Sequence, residues 1–346
     1  MTYNLNRRDF VKTTAMGTIG LGLAVRDFPF SPANQLEGRI GIIGLDTSHS
    51  TAFAKAINSP DAKPEFSGFR IVAAYPQGSS EIKSSYERIP GYIEEVKKYS
   101  VEITGSIDEL ISKVDYVLLE TNDGRLHLEQ ALPVLKARKR VFIDKPLAAS
   151  PVHAIAIFNA ADHYNVSVFS SSSLRYITGA SDVAEGKIGR VTGADTFSPC
   201  TLEATHPDLF WYGIHGVETL FTVMGTGCKT VRRVHAADTD IVTGVWGDGR
   251  IGTFRGTRSG RGGYGGTVYG ENGTITLGPY AGYDPLLVKI LEFFKTGVEP
   301  VKREETLEIF AFMQAADVSK KKNGAAVETE KVMADAIKQA EKIKFS

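Results

Sequence analysis

Over the first half of the chain, short apolar runs alternate with stretches of helical spacing. Residues 39–44, 70–75, 101–104, 114–120, 141–144 and 166–170 are apolar-rich runs closed by charged or turn residues, the pattern of strands covered on both faces. Between them, residues 51–58, 81–99, 107–112, 126–137 and 151–164 read as helices, and Pro90-Gly91 is expected to interrupt the second because proline removes a helical hydrogen bond. Strand and helix in alternation specify a parallel sheet with helices on both faces. Beyond Arg175 the period changes. Residues 192–197, 230–235, 240–246 and 250–255 are short strands separated by glycine-bearing turns, and 268–277 is a hairpin pattern around Asn272-Gly273. Helices over 285–295 and 306–321, then a surface helix after Glu328, close the chain. The predicted class is α/β: an N-terminal doubly wound parallel sheet over residues 36–172, then an α+β domain over 173–346 with a large, mainly antiparallel open sheet and C-terminal helices.

Composition narrows the function without naming it. The 40 basic and 40 acidic residues cancel, so nothing draws the protein to nucleic acid or to an anionic membrane surface. The 35 glycines follow no period, which excludes a repeat architecture. Cys200 and Cys228 have no metal-ligand spacing and read as two buried thiols, with a single disulfide compatible but not demanded.

Residues 1–35 have a different character and are set apart from the fold. Asn6-Arg7-Arg8-Asp9-Phe10-Val11-Lys12 precedes an uncharged Gly/Ala-rich run over 13–25, a charged segment followed by an apolar one too short to span a bilayer. The paired arginines followed by x-Phe-Val-Lys resemble a twin-arginine export signal. Export to the periplasm is expected, with cleavage near Ser31-Pro32-Ala33 and no other membrane contact; a Sec signal or an uncleaved anchor is the alternative.

Candidate chemistry collects at strand ends, which in an open parallel sheet face the ligand crevice. Residues 39–44 lead through Leu45-Asp46-Thr47-Ser48-His49 into a helix. A Rossmann-type domain begins with that strand–turn–helix, whose backbone N–H groups and helix N-terminus cradle pyrophosphate. Here G-x-G-x-x-G is reduced to Gly44-x-Asp46-x-x-His49. Asp46 brings bulk and charge where a glycine lets the backbone approach pyrophosphate, or it serves as an N-cap. Thr47 and Ser48 suit either capping or a phosphate. The next strand ends in Tyr75-Pro76 rather than an acid that would grip the adenosine ribose, so NAD and NADP are not distinguished. Thr121 and Asn122 lie at the crevice edge and His127 opens the following helix. Asp144-Lys145-Pro146 then stops a strand abruptly, since proline cannot donate to the ladder, and Lys145 is aimed at bound ligand.

The order and spacing of these segments resemble the glucose–fructose oxidoreductase, inositol dehydrogenase and MocA (Gfo/Idh/MocA) family from about residue 39 to 327. The matching segments are Val114-Asp115-Tyr116-Val117 through His127, Asp144-Lys145-Pro146-Leu147, Arg175-Tyr176, Glu185-Gly186-Lys187-Ile188-Gly189, Gly213-Ile214-His215 and Gly270-Glu271-Asn272-Gly273. The resemblance implies an NAD- or NADP-dependent oxidoreductase acting on a secondary hydroxyl or keto group of a sugar, cyclitol or glycoside. It implies that Lys145 polarises the substrate oxygen and that His215 is the acid/base. Those residue types suit the roles, since histidine titrates near working pH and a cationic lysine stabilises alkoxide charge. Expected cofactor contacts are Gly44, Asp46, Thr47, Ser48, His49, Thr121, Asn122, His127 and Lys145. Expected substrate contacts are Lys145, Arg175, His206, Trp211 and His215. His127 serves equally well as a loop anchor. Trp211 stands where the family carries its catalytic aspartate; Tyr212 is the candidate catalytic replacement, and both aromatics also suit ordinary packing. These departures keep a second reading open, a non-redox member that binds carbohydrate or performs acid/base elimination with His49, Lys145 and His215. A metal-assisted variant through Asp46, His49 or His206 is not compelled by spacing, and no metal ligand is predicted. A homo-oligomer joined through the open face of the large sheet is implied by the family resemblance.

Overall fold

The computed structural model describes residues 38–345; the export segment expected over residues 1–35 lies outside them. The first sheet is parallel and six-stranded, in the order β3-β2-β1-β4-β5-β6. Its strands are β1 (Gly38–Ile43), β2 (Phe69–Tyr75), β3 (Glu102–Ile103), β4 (Tyr116–Leu119), β5 (Val141–Ile143) and β6 (Val168–Ser170). Ile42, Val117, Leu118, Phe142 and Ile143 are fully buried, which is why these runs are apolar throughout instead of alternating. The order reverses between β1 and β4, and that switch point is where the ligand crevice opens.

The connecting helices are α1 (Ser48–Asn58), α2 (Lys83–Tyr86), α3 (Ile89–Lys97), α4 (Ile107–Lys113), α5 (His127–Lys136) and α6 (Pro151–Tyr164). The ends of α6 are written in its sequence. Ser150 accepts from the His153 N–H, Pro151 occupies the first turn, and Asn165 closes the helix in the left-handed region at φ 56°. The expected break in the 81–99 stretch falls at Glu87-Arg88 and not at Pro90-Gly91. Pro90 sits in the first turn of α3, where its missing N–H would have had no helical partner anyway.

After α7 (Ala180–Ala184) comes the second sheet, in the order β12-β11-β7-β10-β9-β8-β13. It comprises β7 (Val191–Pro199), β8 (Cys228–His235), β9 (Thr239–Trp246), β10 (Ile251–Thr257), β11 (Gly265–Gly270), β12 (Gly273–Leu277) and the short edge strand β13 (Val327–Glu328). Every pairing is antiparallel except β7 with β10. Residues on these strands alternate between a buried and an open face. The buried face packs on α8 (Ile214–Met224) and α10 (Arg303–Lys321), and α11 (Thr329–Ala340) follows β13. Cys200 and Cys228 are buried free thiols.

One element crosses the expected domain line. Helix α9 (Asp284–Thr296) packs not on the second sheet but on the first. Phe293 meets Phe169 at 4.8 Å between ring centroids, and Phe294 stacks on Tyr116 at 4.9 Å. Among the described residues, no helix is long and apolar enough to cross a membrane.

Candidate functional site

A cavity of about 200 Å³ opens at the carboxyl ends of β1, β4 and β5. The β1–α1 turn contributes Thr47, Ser48 and His49, the loop after β4 contributes Asn122, and the end of β5 contributes Asp144 and Lys145. Tyr212 and His215 reach it from the start of α8, and Tyr264, Tyr280 and Tyr283 close the far wall. The sequence reading missed those three tyrosines, which sit in irregular segments with no periodic pattern to mark them.

Lys145 is buried and has no hydrogen-bond partner among the described residues; its Nζ lies 5.7 Å from the Tyr212 ring centroid. His215 is held by Ser172, whose Oγ is 2.7 Å from Nδ1, leaving Nε2 for the cavity. Burial, reinforced by the charge of Lys145, pushes the His215 pKa well below the ordinary histidine value. A neutral imidazole and a cationic ammonium group thus share one wall. Tyr212 lies edge-on to His215 at 4.8 Å, and its hydroxyl is 2.9 Å from that of Tyr264. The π-helical turn Leu209–Gly213 precedes α8. It directs Tyr212 into the cavity and Trp211 away from it, a re-aiming that extra-residue turns commonly perform at functional sites.

The dinucleotide-type loop keeps its turn and loses its usual side chains. Gly44 lies in the left-handed region at φ 88°, and a Cβ there would come within 2.6 Å of the Thr121 backbone, so only glycine fits. Asp46 is fully buried and does not line the cavity. Its carboxylate accepts from Ser85 Oγ and from the Asn122 N–H at 3.0 Å, tying the β1–α1 turn to α2 and to the loop after β4. Burial nonetheless raises its pKa. Helix α1 has no side-chain cap, and the hydroxyls of Thr47 and Thr121 are buried without a partner. Open helix N–H groups beside two unpartnered hydroxyls fit the pyrophosphate of a dinucleotide. Tyr75 leaves the adenosine ribose without an acid.

His49 lines the cavity from below, with Nδ1 3.0 Å from Asp144 Oδ1 and 3.4 Å from Glu120 Oε2. Burial opposes protonation of His49, but the charges of Asp144 and Glu120 outweigh it and raise its pKa to about 10. Burial pushes Glu120 up to about 7. It pushes Asp144 the same way, but the charges of His49 and Lys145 prevail and hold that acid at about 2.

A switch-point crevice, a tight glycine turn and an uncapped helix N-terminus are the parts of a dinucleotide-binding domain. Residues 38–172 match the sequence profile described as an oxidoreductase family with an NAD-binding Rossmann fold. That stretch is similar to the Rossmann domain of the Gfo/Idh/MocA family. Solved structures extend the likeness across both sheets. Scyllo-inositol dehydrogenase from Lactobacillus casei, crystallised with NAD(H) and scyllo-inositol, superposes with a TM-score of 0.66 at 16% identity, covering 85% of this chain and 99% of that one. GenD2 from gentamicin A biosynthesis, in complex with NAD, gives 0.66 at 17% identity over 90% and 99%. At such identities the shared property is the fold. No curated protein matches the sequence.

Besides Asp46, four expected ligand contacts are engaged with other protein groups. Arg175 is half-buried outside the cavity lining, paired with Glu218 at 2.9 Å and Glu305 at 2.7 Å, so it braces α8 and α10. His206 lies with Nε2 3.3 Å from Asp123 Oδ1 and its ring against Trp211 at 4.9 Å. Neither His206 nor Trp211 lines the cavity; they pack behind the β4 loop. Burial works against the Asp123 charge, but bonds to His206 and Arg125 hold its carboxyl far below the usual range. His127 places Nε2 2.7 Å from the Thr121 carbonyl and Nδ1 3.1 Å from that of Leu147. It anchors two strand-end loops and does not line the cavity. The partnership of Glu120 and Asp144 with His49 went unread; the available sign was that two near-continuous apolar strands each end in an acid.

Proposed function

We propose that the protein is an NAD- or NADP-dependent oxidoreductase acting on a secondary hydroxyl or keto group of a sugar, cyclitol or glycoside. The observation that carries this reading is the meeting of Lys145 and neutral His215 in one cavity at the Rossmann switch point. The dinucleotide would be held by the Gly44 turn, the α1 N-terminus, Thr47, Ser48 and Asn122. When bound, it supplies or accepts hydride. Lys145 donates to the substrate oxygen and stabilises its developing negative charge. His215 takes the hydroxyl proton at Nε2 in the oxidative direction and returns it in the reductive one, with Nδ1 fixed against Ser172. The phenols of Tyr212, Tyr264 and Tyr280 offer hydrogen bonds to further hydroxyls, as a polyhydroxylated substrate requires. The inositol bound by the Lactobacillus structure supports that substrate class. Export by the twin-arginine route belongs to the same proposal, supported by Arg7-Arg8 and the apolar run after them.

One observation favours a second reading. The Asp46 carboxylate ties the β1–α1 turn to α2 and to the loop after β4, across the side where the adenosine half of a dinucleotide runs. That bridge suits a non-redox member that binds carbohydrate or performs acid/base chemistry in the same cavity. Denaturing the purified protein and assaying the supernatant for nicotinamide dinucleotide separates the two. Release of close to one equivalent per chain, or a rise in Tm on adding NAD or NADP, is expected for the oxidoreductase. Lys145→Ala and His215→Ala should then each lower kcat/KM by about 10²- to 10⁴-fold. No release and no shift would transfer the cavity to the second reading.

A further inference from the structure

One wall of the cavity adjoins an arrangement that neither cofactor binding nor the roles of Lys145 and His215 use. Glu120 and Asp144 end the adjacent strands β4 and β5, and His49 stands in the first turn of α1 directly above them. All three are buried. Five of their polar atoms, both carboxylate oxygens of each acid and Nδ1 of His49, are inaccessible and make no hydrogen bond. Buried carboxylates are ordinarily satisfied by several donors, because leaving them bare is costly. Two acids side by side with no donor call for a shared proton or a cation between them. A protonated His49 would serve if its N–H were aligned on a carboxylate oxygen. The contacts are close enough, but Nδ1 is aligned on neither acid.

We propose that His49, Glu120 and Asp144 hold one divalent cation. A cation bound about 2.1 Å from each ligand atom sets neighbouring ligands about 3.0 Å apart at right angles and about 3.4 Å apart in a tetrahedron. The observed separations from His49 Nδ1 are 3.0 and 3.4 Å, and the three ligand atoms lie within 4.8 Å of one another. Two carboxylates neutralise the charge of the ion, and a mixed nitrogen and oxygen set suits Mn²⁺, Fe²⁺ or Zn²⁺. The imidazole is held in orientation by aromatic neighbours, with Tyr283 edge-on at 4.5 Å and Phe53 stacked at 5.6 Å. His49 and Asp144 both line the cavity, so the remaining coordination positions face the ligand. Three protein ligands with an open side are the form of a catalytic metal site. There the cation polarises a substrate hydroxyl or carbonyl oxygen beside Lys145. The site rests on neither dinucleotide binding nor hydride transfer.

The test measures metal on the full chain. The protein is stripped with a chelator and dialysed against Zn²⁺ or Mn²⁺ alone. Bound metal is then counted by mass spectrometry and thermal unfolding is recorded with and without the ion. One equivalent per chain and a higher Tm with at least one cation are expected. Glu120→Gln and Asp144→Asn should each weaken binding at least tenfold, while Asp248→Asn, exposed in the turn between β9 and β10, should keep one equivalent. Failure of the stripped wild-type protein to take up either ion at micromolar concentration would overturn the site, as would stoichiometric binding untouched by both trio substitutions. The wild-type titration decides the matter even if a variant misfolds. Nicotinamide content, read on the same sample, reports separately on the oxidoreductase reading.

Discussion

A buried imidazole sets the pH range in which the site can accept a proton. Burial and the nearby Lys145 charge lower the His215 pKa, so its neutral, proton-accepting form persists below the ordinary titration range of about 6.5. The acid limb of kcat/KM for alcohol oxidation is therefore expected below pH ~6.5, and His215→Asn should remove both the limb and most of the rate. A limb at or above that pH would remove His215 as the base. The same shift has a sign for stability. Between the folded and the unfolded pKa the unfolded chain binds the proton and the folded one does not. His215 therefore costs stability as pH falls through ~6.5 toward its folded value. At this scale the sequence was only partly legible. Lys145 and His215 could be placed because a strand-ending Lys-Pro and a Gly-x-His are local patterns. The joining of Glu120 and Asp144 to His49 could not, since it depends on which three strand ends the topology sets side by side. Arg175, His206 and Trp211 lie outside the cavity lining for a related reason: a residue type says what a side chain can do, and only packing says which way it faces.

Elements were more legible than their partners. Residues 151–164 are helical as read, because capping and periodicity are both local. The interruption in 81–99 was misplaced because proline reads as a breaker until its position within a turn is known. Helix α9 shows the limit best. Its periodicity predicts an apolar face but not that the face returns to the first sheet, where Leu286, Ile290, Phe293 and Phe294 are buried with Ile40, Ile42 and Phe53. Arg140 fastens the end of the helix by donating to the Phe294 carbonyl. Phe293→Ala should therefore destabilise the first sheet by about 3–5 kcal/mol, the usual cost of emptying a buried aromatic site. Urea unfolding followed by the exchange of β1 and β6 amides would show it. A loss under ~1 kcal/mol would mean that α9 only rests on the Rossmann layer and does not complete it.

At the scale of the whole molecule, the second sheet leaves one face uncovered, and its composition is not that of a solvated surface. Phe197 on β7, Val245 on β9, Ile251 on β10 and Tyr269 on β11 are all exposed, Ile251 at 53%. They are interspersed with Thr243, Thr253, Asp195 and Arg255. Single exposed apolar side chains are unremarkable, but four on adjacent strands of one open sheet form a patch of the kind that marks an interface. The polar residues among them give such a face its register, since Arg255 and Thr243 must find partners when water is excluded. A symmetric homo-oligomer joined sheet to sheet is the arrangement this favours, as the family resemblance also implies. Two-fold pairing would set each patch against its own copy. Light scattering coupled to size-exclusion chromatography should then give at least twice the chain mass. Phe197→Lys combined with Ile251→Lys should yield a monomer whose metal and nicotinamide content is unchanged, because that face lies on the opposite side of the sheet from α8 and the cavity. A wild-type monomer at micromolar concentration would show that the patch is covered in some other way or is simply tolerated. A monomeric double variant that also lost its ligands would mean that the sheet-to-sheet contact is needed to hold α8, and with it His215, in place.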